Sequence, residues 1–514
     1  MKGVRRTAVC ATLGIGLTAL FSAGCTMVGP KYQPPTAPIT LEWTELDDPQ
    51  LSDDPLLDPE WWSRAFGDPV LDQLVDEALS QNLTLRSAGL RVLQAQQNLS
   101  IATGRRYPQQ QAIAGSAGVQ SLSNNAMDHL PLTHDQFASY SLGFSLAWEV
   151  DFWGKFRRMV QQAAAELDAS VAGYDDAMVA LVAAVAENYL MVRTIQQRLE
   201  IANTNLDLQA QSVELSRARF EGGMVSELDL DQARTLLNNT KAAVSSFELS
   251  LQQMKNSLAI LLGKPPGEMA NLLAKTEPIP AVPPEIAVGM PQNLIRRRPD
   301  IRAAERQLAA QGAEVGIAVA DLYPQFSIGG SIGSSTNSND GKAVIDLFSA
   351  DSISLGLAGS FQWNIFNYGR LKSNIRLQDA VFQQLLVDYR QTVLEAQGEV
   401  ENAIVAYLKA QEQVASYTLA AGFAQRAVDI STAQYEDGLV NFNTVLTTLK
   451  SLAAQQDLQV STQGTVATNL VELFKSLGGG WEVRGGEDPV DLLPEATKEE
   501  MRDRVPRSWK DILD

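Results

Sequence analysis

Two stretches of this chain alternate apolar and small polar residues with a period of two. In the first, Tyr140, Leu142, Phe144, Leu146, Trp148 and Val150 share one face, and Ser139, Ser141, Gly143, Ser145, Ala147 and Glu149 the other. In the second, Ile353, Leu355, Leu357, Phe361, Trp363 and Ile365 oppose Ser352, Ser354, Gly356, Ala358, Ser360, Gln362 and Asn364. Such alternation predicts strands. A weaker partner strand precedes each, near 110–121 and 325–334, and a polar loop joins each pair, Ser123–Gln136 and Ser335–Ala350. In a soluble sandwich these would be half-buried strands. Their length, the aromatic residues near their ends and the small polar residues opposite fit a membrane barrel instead, with a lipid face and a wet lumen. The lipid-facing set is then Tyr140, Leu142, Phe144, Leu146, Trp148, Leu355, Leu357, Phe361 and Trp363.

The remaining long segments switch to a 3-4 spacing. After Gly154, Leu167, Val171, Tyr174, Met178, Leu181, Val185, Val192, Ile195, Leu199, Ala202, Leu206, Val213 and Phe220 keep one heptad phase, interrupted by Asn188, Gln209 and Ser216. Phe382, Leu386, Tyr389, Val393, Ala396, Val400, Ala403, Tyr407, Ala410, Val414 and Tyr417 repeat that register. Sustained 3-4 spacing predicts coiled-coil seams, in helices roughly 100 Å long at 1.5 Å per residue. Each long helix turns at Glu-(Gly/Asp)-Gly, where Gly223 and Gly438 suit a left-handed C-cap. A return helix of about 36 residues follows, and a helix of about 33 residues, beginning near Pro69 in the first half, opens each half; together the two short helices match the long one.

These elements occur twice. Phe220-Glu221-Gly222-Gly223-Met224-Val225 returns as Tyr435-Glu436-Asp437-Gly438-Leu439-Val440, an offset of 215 residues (220 to 435). Trp148 returns as Trp363, Gly154 as Gly369 and Leu262-Gly263 as Leu477-Gly478, while Tyr107-Pro108-Gln109 matches Tyr323-Pro324-Gln325 one residue out of step. A period this long is no solenoid; it is a duplicated half-molecule. The chain divides into a signal peptide (1–24), an N-terminal segment (25–69), a first repeat (70–262), a linker with seven prolines (263–291), a second repeat (292–478) and a charged tail (479–514) that wraps the outside or frays.

Four strands cannot close a membrane barrel, which needs at least eight, and lipid does not tolerate an open sheet edge. The barrel must be shared between chains. No segment reads as a membrane-spanning helix. Lys2, Arg5 and Arg6 precede an apolar run that ends at Ser22-Ala23-Gly24-Cys25, a secretory signal. Its ending on Cys25 resembles a bacterial lipobox, which implies a diacylglycerol and an N-acyl chain on Cys25; several acyl chains anchor where one does not. Thr26 after the cysteine favours the outer membrane, by the same resemblance. The only other cysteine, Cys10, lies in the signal, so the mature chain has no disulfide. A net charge of −19 argues against nucleic acid, whose binders need basic faces; it serves solubility or an acidic lumen. His129 and His134 lack a carboxylate or cysteine cluster and read as loop residues, so no metal and no cofactor is expected.

The chain resembles the outer membrane factors, the TolC/OprM/NodT-like efflux channels, in their lipoprotein branch. The resemblance rests on Cys25-Thr26-Met27-Val28-Gly29-Pro30-Lys31-Tyr32, Trp61-Trp62 with Phe66-Gly67-Asp68-Pro69, Arg297-Arg298-Pro299-Asp300, the two Tyr-Pro-Gln triplets and Leu477-Gly478-Gly479-Gly480-Trp481. It covers almost the whole mature chain. It implies an α+β membrane protein: a homotrimer whose twelve-stranded β-barrel continues into a long periplasmic barrel of coiled-coil helices. It implies an equatorial region from 26–69, 263–291 and 479–514. At the helix turns, Gly223-Met224-Val225 and Gly438-Leu439-Val440 would meet a periplasmic adaptor, with an inner-membrane pump of the resistance-nodulation-division (RND) type beyond. Glu227, Asp229 and Asp231 are the acidic candidates for closing the aperture. Asp229 alternatively serves as a first-turn carboxylate. The second repeat has Thr444 and Thr447 where the family has aspartates.

The leading function is therefore a passive exit duct for small molecules such as drugs. A duct for type I protein secretion and a non-porous structural lipoprotein are the alternatives. No phosphate loop or metal-spaced His/Cys set is present to support an enzyme.

Overall fold

The structure, a computed structural model, describes residues 27–54, 58–121, 136–268, 273–283, 285–338 and 341–504. The signal peptide, Cys25 and both histidines lie outside the described residues. In chain order the elements are β1 (Leu51–Ser52), α1 (Trp61–Phe66), α2 (Pro69–Gln81), α3 (Leu83–Gly104), β2 (Gln110–Ser121) and β3 (Gln136–Val150). Then come α4 (Lys155–Glu221), α5 (Glu227–Leu261), β4 (Ile286–Ala287), α6 (Pro291–Arg297), α7 (Pro299–Ala320) and β5 (Gln325–Asn337). β6 (Ile353–Gln362), α8 (Arg370–Glu436), α9 (Phe442–Ser476) and α10 (Glu495–Asp503) complete the order. The two long helices have 67 residues each and the two return helices 35 each. The chain forms two compact units. One takes the N-terminal segment to Thr36, Leu93–Ala169 and Ala304–Tyr389; the other takes Ala37–Val92, Ser170–Ala303 and Arg390 onward.

The first unit holds a four-stranded antiparallel sheet in the order β2-β3-β5-β6. Three expectations need correction here. β3 begins at Gln136, four residues before the alternation becomes regular; β5 runs on to Asn337; and β6 stops at Gln362, so Trp363 and Ile365 lie past its end. The segment after β5 is not simply a polar loop. It carries short 3-10 turns at Val344–Phe348 and Ala350–Ser352, with Val344, Ile345 and Phe348 exposed. In the same unit the chain from Met27 is clasped to α4. Val28 N donates to the Trp153 carbonyl at 3.0 Å, and the Arg158 guanidinium donates to the carbonyls of Val28 and Gly29.

The second unit is built on helix packing. The opening helix of each repeat is broken, against the single helix that periodicity predicts. Asn82 has extended backbone between α2 and α3. Its side chain donates to the Leu261 carbonyl and accepts from Leu85 N, both at 2.8 Å, so it caps one helix and ties down the end of another. Arg298 occupies the matching place in the second repeat, where Pro299 disfavours a helical predecessor. α4 also contains an 18-residue window with mean hydropathy 1.5, long and apolar enough to cross a membrane by composition alone, which corrects the contrary expectation. That window is 72% buried, with Met178, Leu181, Val182, Val185, Tyr189, Leu190 and Val192 all in the core. It is a core stripe.

The tail after Ser476 does not fray before residue 504. Asp175, on α4, is fully buried and accepts from Arg484 at 2.9 and 3.3 Å and from Arg302 at 3.3 Å. Arg302 lies over the Trp481 ring at 4.7 Å. Burial pushes the Asp175 carboxyl up, and the two guanidiniums oppose that shift. The linker is held by α4 as well: Arg193, 2% exposed, donates to the Lys275 carbonyl and to Glu277, and Gln196 donates to the Leu273 carbonyl. β1 and β4 pair in parallel, joining the N-terminal segment to the linker.

Two outcomes follow for thermal unfolding of the purified protein. Asp175→Ala strands a buried guanidinium and destabilises by about 3–5 kcal/mol. Gly464, on α9, leaves no room for a side chain, because a Cβ there would sit 2.2 Å from Thr194 Oγ1 on α4. Gly464→Ala costs about 1–3 kcal/mol, and adding Thr194→Gly restores part of the loss.

Candidate functional site

Two features carry the expected chemistry, one in each unit. In the sheet, register sorts the side chains onto two faces. Phe144 opposes Ile113 and Ile332, Trp148 opposes Ile328, and Ile332 opposes Leu355. Leu142 and Phe144 are exposed, while Tyr140, Leu146 and Trp148 are half-buried by their neighbours. On β6, Leu355, Leu357 and Phe361 are 80%, 82% and 71% exposed, and Ile113 and Val119 on β2 are equally bare. Trp363, just past β6, is exposed yet donates its Nε1 to the Leu322 carbonyl at 3.0 Å. Trp148 does the same to Arg106 at 3.3 Å. So one face is a continuous apolar surface with tryptophans at its rim. The opposite face is serine and glycine: Ser145 opposes Ser331, Ser116 bonds Ser141 through their hydroxyls at 2.8 Å, and Gly143 packs backbone-close on Gly333. Among the described residues, neither edge strand has a partner on its outer side.

In the second unit, α4 and α8 end alike. Gly223 N donates to the Phe220 carbonyl and Met224 N to the Arg219 carbonyl; Gly438 and Leu439 repeat this with Tyr435 and Gln434. This is a Schellman ending, and its left-handed residue is Gly223 at φ 70° and Gly438 at φ 76°. Met224 and Leu439 are 70% and 72% exposed. Val225 and Val440 are half-buried against a cluster built by Leu230, Leu236, Val428, Tyr435, Phe442 and Leu446. Each turn therefore presents an exposed apolar residue on a half-buried valine foot.

The acidic candidates separate. Asp229 accepts from Ser226 N at 3.3 Å and from the Ser226 hydroxyl at 3.4 Å, which makes it the carboxylate of a capping box for α5. Glu227 is exposed in the first turn, and Asp231 pairs with Arg234 at 3.3 Å. On α9, Asn441 takes the capping role. It accepts from Thr444 N at 3.2 Å and from the Thr444 hydroxyl at 3.1 Å, and Thr447 bonds back to the Asn443 carbonyl. Thr444 and Thr447 are both exposed.

Sequence reasoning missed the residues that tie α4 to α8 and α9. Arg219 donates to the Glu436 carbonyl at 2.7 Å and lies over the Tyr435 ring at 4.3 Å; burial pushes the Tyr435 hydroxyl up. Arg198 grips Asp457 with two bonds of 2.8 and 3.0 Å, and Asn205 bonds Gln456 at 2.8 Å. The only signal was the set of polar residues beside the seam. The interrupting Gln209 and Ser216 are fully buried, without hydrogen-bond partners for their side-chain polar atoms. Among the described residues no group of three or more His, Cys, Asp or Glu is placed to hold a metal.

This architecture matches known proteins over most of its length. A family model described as outer membrane efflux protein matches residues 74–264 and 290–479. Nodulation protein T of Rhizobium leguminosarum bv. trifolii is 30% identical over 457 residues, 89% of this chain and 93% of its own. The pyoverdine export outer membrane protein OpmQ of Pseudomonas aeruginosa is 32% identical over 428 residues, 82% and 88% of the two chains. The solved structure of the outer-membrane channel OprN superposes with a TM-score of 0.82 at 30% identity, covering 88% of this chain and 99% of its own. With both repeats, the sheet and the paired helices accounted for, the chain belongs to the outer membrane efflux protein family.

Proposed function

We propose that three copies of this chain close one twelve-stranded barrel in the outer membrane and act as the passive exit duct of a tripartite efflux system. The observation that carries this reading is the four-stranded sheet with two bare edges and an apolar outer face. Such a sheet is stable in lipid only when other copies satisfy its edges. The serine and glycine face becomes the lumen. Small molecules driven by an inner-membrane pump of the RND type pass through it, and the protein itself turns nothing over. Acyl groups on Cys25 add a second hold on the membrane.

The helix turns are the docking end. Gly223-Met224-Val225 and Gly438-Leu439-Val440 offer a periplasmic adaptor exposed apolar side chains on rigid Schellman turns. The aperture is held by Asp229 with Glu227 and Asp231 in the first repeat. Thr444 and Thr447 occupy the matching surface in the second.

In-cell photocrosslinking from Ser226 or Asn441, read by mass spectrometry, tests the docking end. Capture of an adaptor with its RND pump is expected. Capture of a type I secretion apparatus, or of peptidoglycan alone, would overturn the assignment. Asp229 has two separable duties, since its carboxylate both caps α5 and carries charge. Asparagine keeps an acceptor for the cap, while alanine loses it at about 1 kcal/mol. If charge closes the aperture, Asp229→Asn and Asp229→Ala both raise single-channel conductance in a planar bilayer. If only Asp229→Ala does so, the cap alone matters, and unchanged conductance in both removes Asp229 from closure.

A further inference from the structure

The duplication specifies more than a count of strands. The two hairpins are the same object in different halves. Ile113 opposes Phe144 in the first, and Ile328 opposes Gly359 in the second, each residue displaced by 215 (113 to 328, 144 to 359). The rim tryptophans follow: Trp148 donates to the Arg106 carbonyl and Trp363 to the Leu322 carbonyl. One seam joins the hairpins, β3 to β5, with Leu142 opposite Ser334, Ser145 opposite Ser331, Leu146 opposite Gly330 and Trp148 opposite Ile328. Its mate, β6 to β2, does not exist within one chain, because those strands are the two edges of the sheet.

At the foot of the existing seam, Trp153 stacks on Tyr323 with ring centroids 4.6 Å apart and donates its Nε1 to the Pro324 carbonyl at 2.8 Å. By the 215-residue offset the mate of Trp153 is Tyr368, and by the Tyr-Pro-Gln match, one residue out of step at 216, the mates of Tyr323 and Pro324 are Tyr107 and Pro108. Tyr368 is fully exposed and Tyr107 is 66% exposed. Tyr368 is also the only non-glycine residue at positive φ among the described residues, at 49°. Backbone strain of that kind persists where surrounding contacts fix it, and a single chain gives this ring none. Trp153 lacks that conformation, so the two sites differ in backbone as well as in side chain.

We infer that β6 of one copy pairs with β2 of the next in the register of the β3–β5 seam, and that Tyr368 stacks on Tyr107 across that junction. The register places Leu357 opposite Val119, Ser360 opposite Ser116, Phe361 opposite Gly115 and Trp363 opposite Ile113. Apolar residues then stay on the outer face and serines on the inner one, whereas a slip of one residue would exchange the faces. The inference rests on the shared barrel proposed above and deepens it from a number of strands to a residue-by-residue contact.

Cysteine pairs in the intact protein test it. Directly opposed residues have Cα atoms about 4.5–5.5 Å apart, within disulfide reach, while a displacement of two residues gives about 7–8 Å. Within one chain, β2 and β6 are three strand spacings apart, roughly 14 Å, so any bond between them joins two copies. Ser360→Cys with Ser116→Cys, oxidised in outer membranes with copper phenanthroline, is expected to give covalent oligomers. The offset pairs Ser360→Cys with Ala114→Cys, and Ser360→Cys with Gly118→Cys, are expected to give little. Bonding confined to an offset pair would overturn the register and leave the shared barrel standing. No bonding in any pair, with the oligomer intact by native mass spectrometry, would overturn the edge pairing. Monomers alone in every preparation would overturn the shared barrel itself. For the ring contact, Tyr368→Ala lowers the temperature at which the oligomer dissociates in detergent and Tyr368→Trp preserves it. An unchanged temperature for Tyr368→Ala would reject the stack and leave Tyr368 as a lipid-interface residue.

Discussion

Hydrocarbon offers no partner for a peptide N–H or C=O, and that fact decides how this sheet is used. In water, bare edges would bind solvent. In a bilayer each unsatisfied group costs several kcal/mol, so the sheet is incomplete by itself. The outer faces of β2 and β6 are among the most exposed apolar surfaces of their unit, and the edges they border are the ones left unpaired among the described residues. Apolar exposure and open hydrogen bonding coincide, and in the proposed barrel the same surroundings would satisfy both, lipid on one side and another copy of the chain on the other.

The helical unit solves a different problem. Its seams bury small residues, tyrosines and a minority of polar groups, and the polar groups carry the specificity. Asp175 fixes the C-terminal tail, Arg193 fixes the linker, and Asn82 fixes the break between α2 and α3. Each is a side chain bonding a segment far away in sequence, and each is buried or half-buried. Gln209 and Ser216 are the exceptions, since their polar atoms are enclosed without partners. Apolar residues at these two places would have made the seam more uniform.

Much of this was legible in the sequence because two periods are unmistakable. Alternation at period two fixed which residues of β3 and β6 share a face, and the heptad phase fixed the length and seam of α4 and α8. The duplication then allowed each element to be read twice, which is how Gly223 and Gly438 emerged as turn residues. What stayed hidden depends on single side chains meeting at long range. Nothing periodic marks Asn82 as a helix break, because its effect comes from a carbonyl on Leu261 and an amide on Leu85. Arg219 was equally silent, as its partners Tyr435 and Glu436 lie in the other repeat. Asp229 was legible as a choice between two roles, and the contact with Ser226 adds the cap without removing the charge. Strand ends were misjudged for a related reason: β6 stops at Gln362 although alternation continues to Ile365, since pairing ends before the pattern does.

The inner face of the sheet has a consequence for traffic. Serine hydroxyls and glycine backbones present weak, interchangeable contacts, and some hydroxyls are already engaged, Ser116 with Ser141 and Ser354 with the Gly333 carbonyl. A solute moving along such a wall exchanges one shallow hydrogen bond for another and finds no deep well. In the proposed duct its dwell time would be set by diffusion and by the length of the passage, not by recognition. A change of solute would demand no change in these residues, so the strands are free to answer only to folding and to lipid.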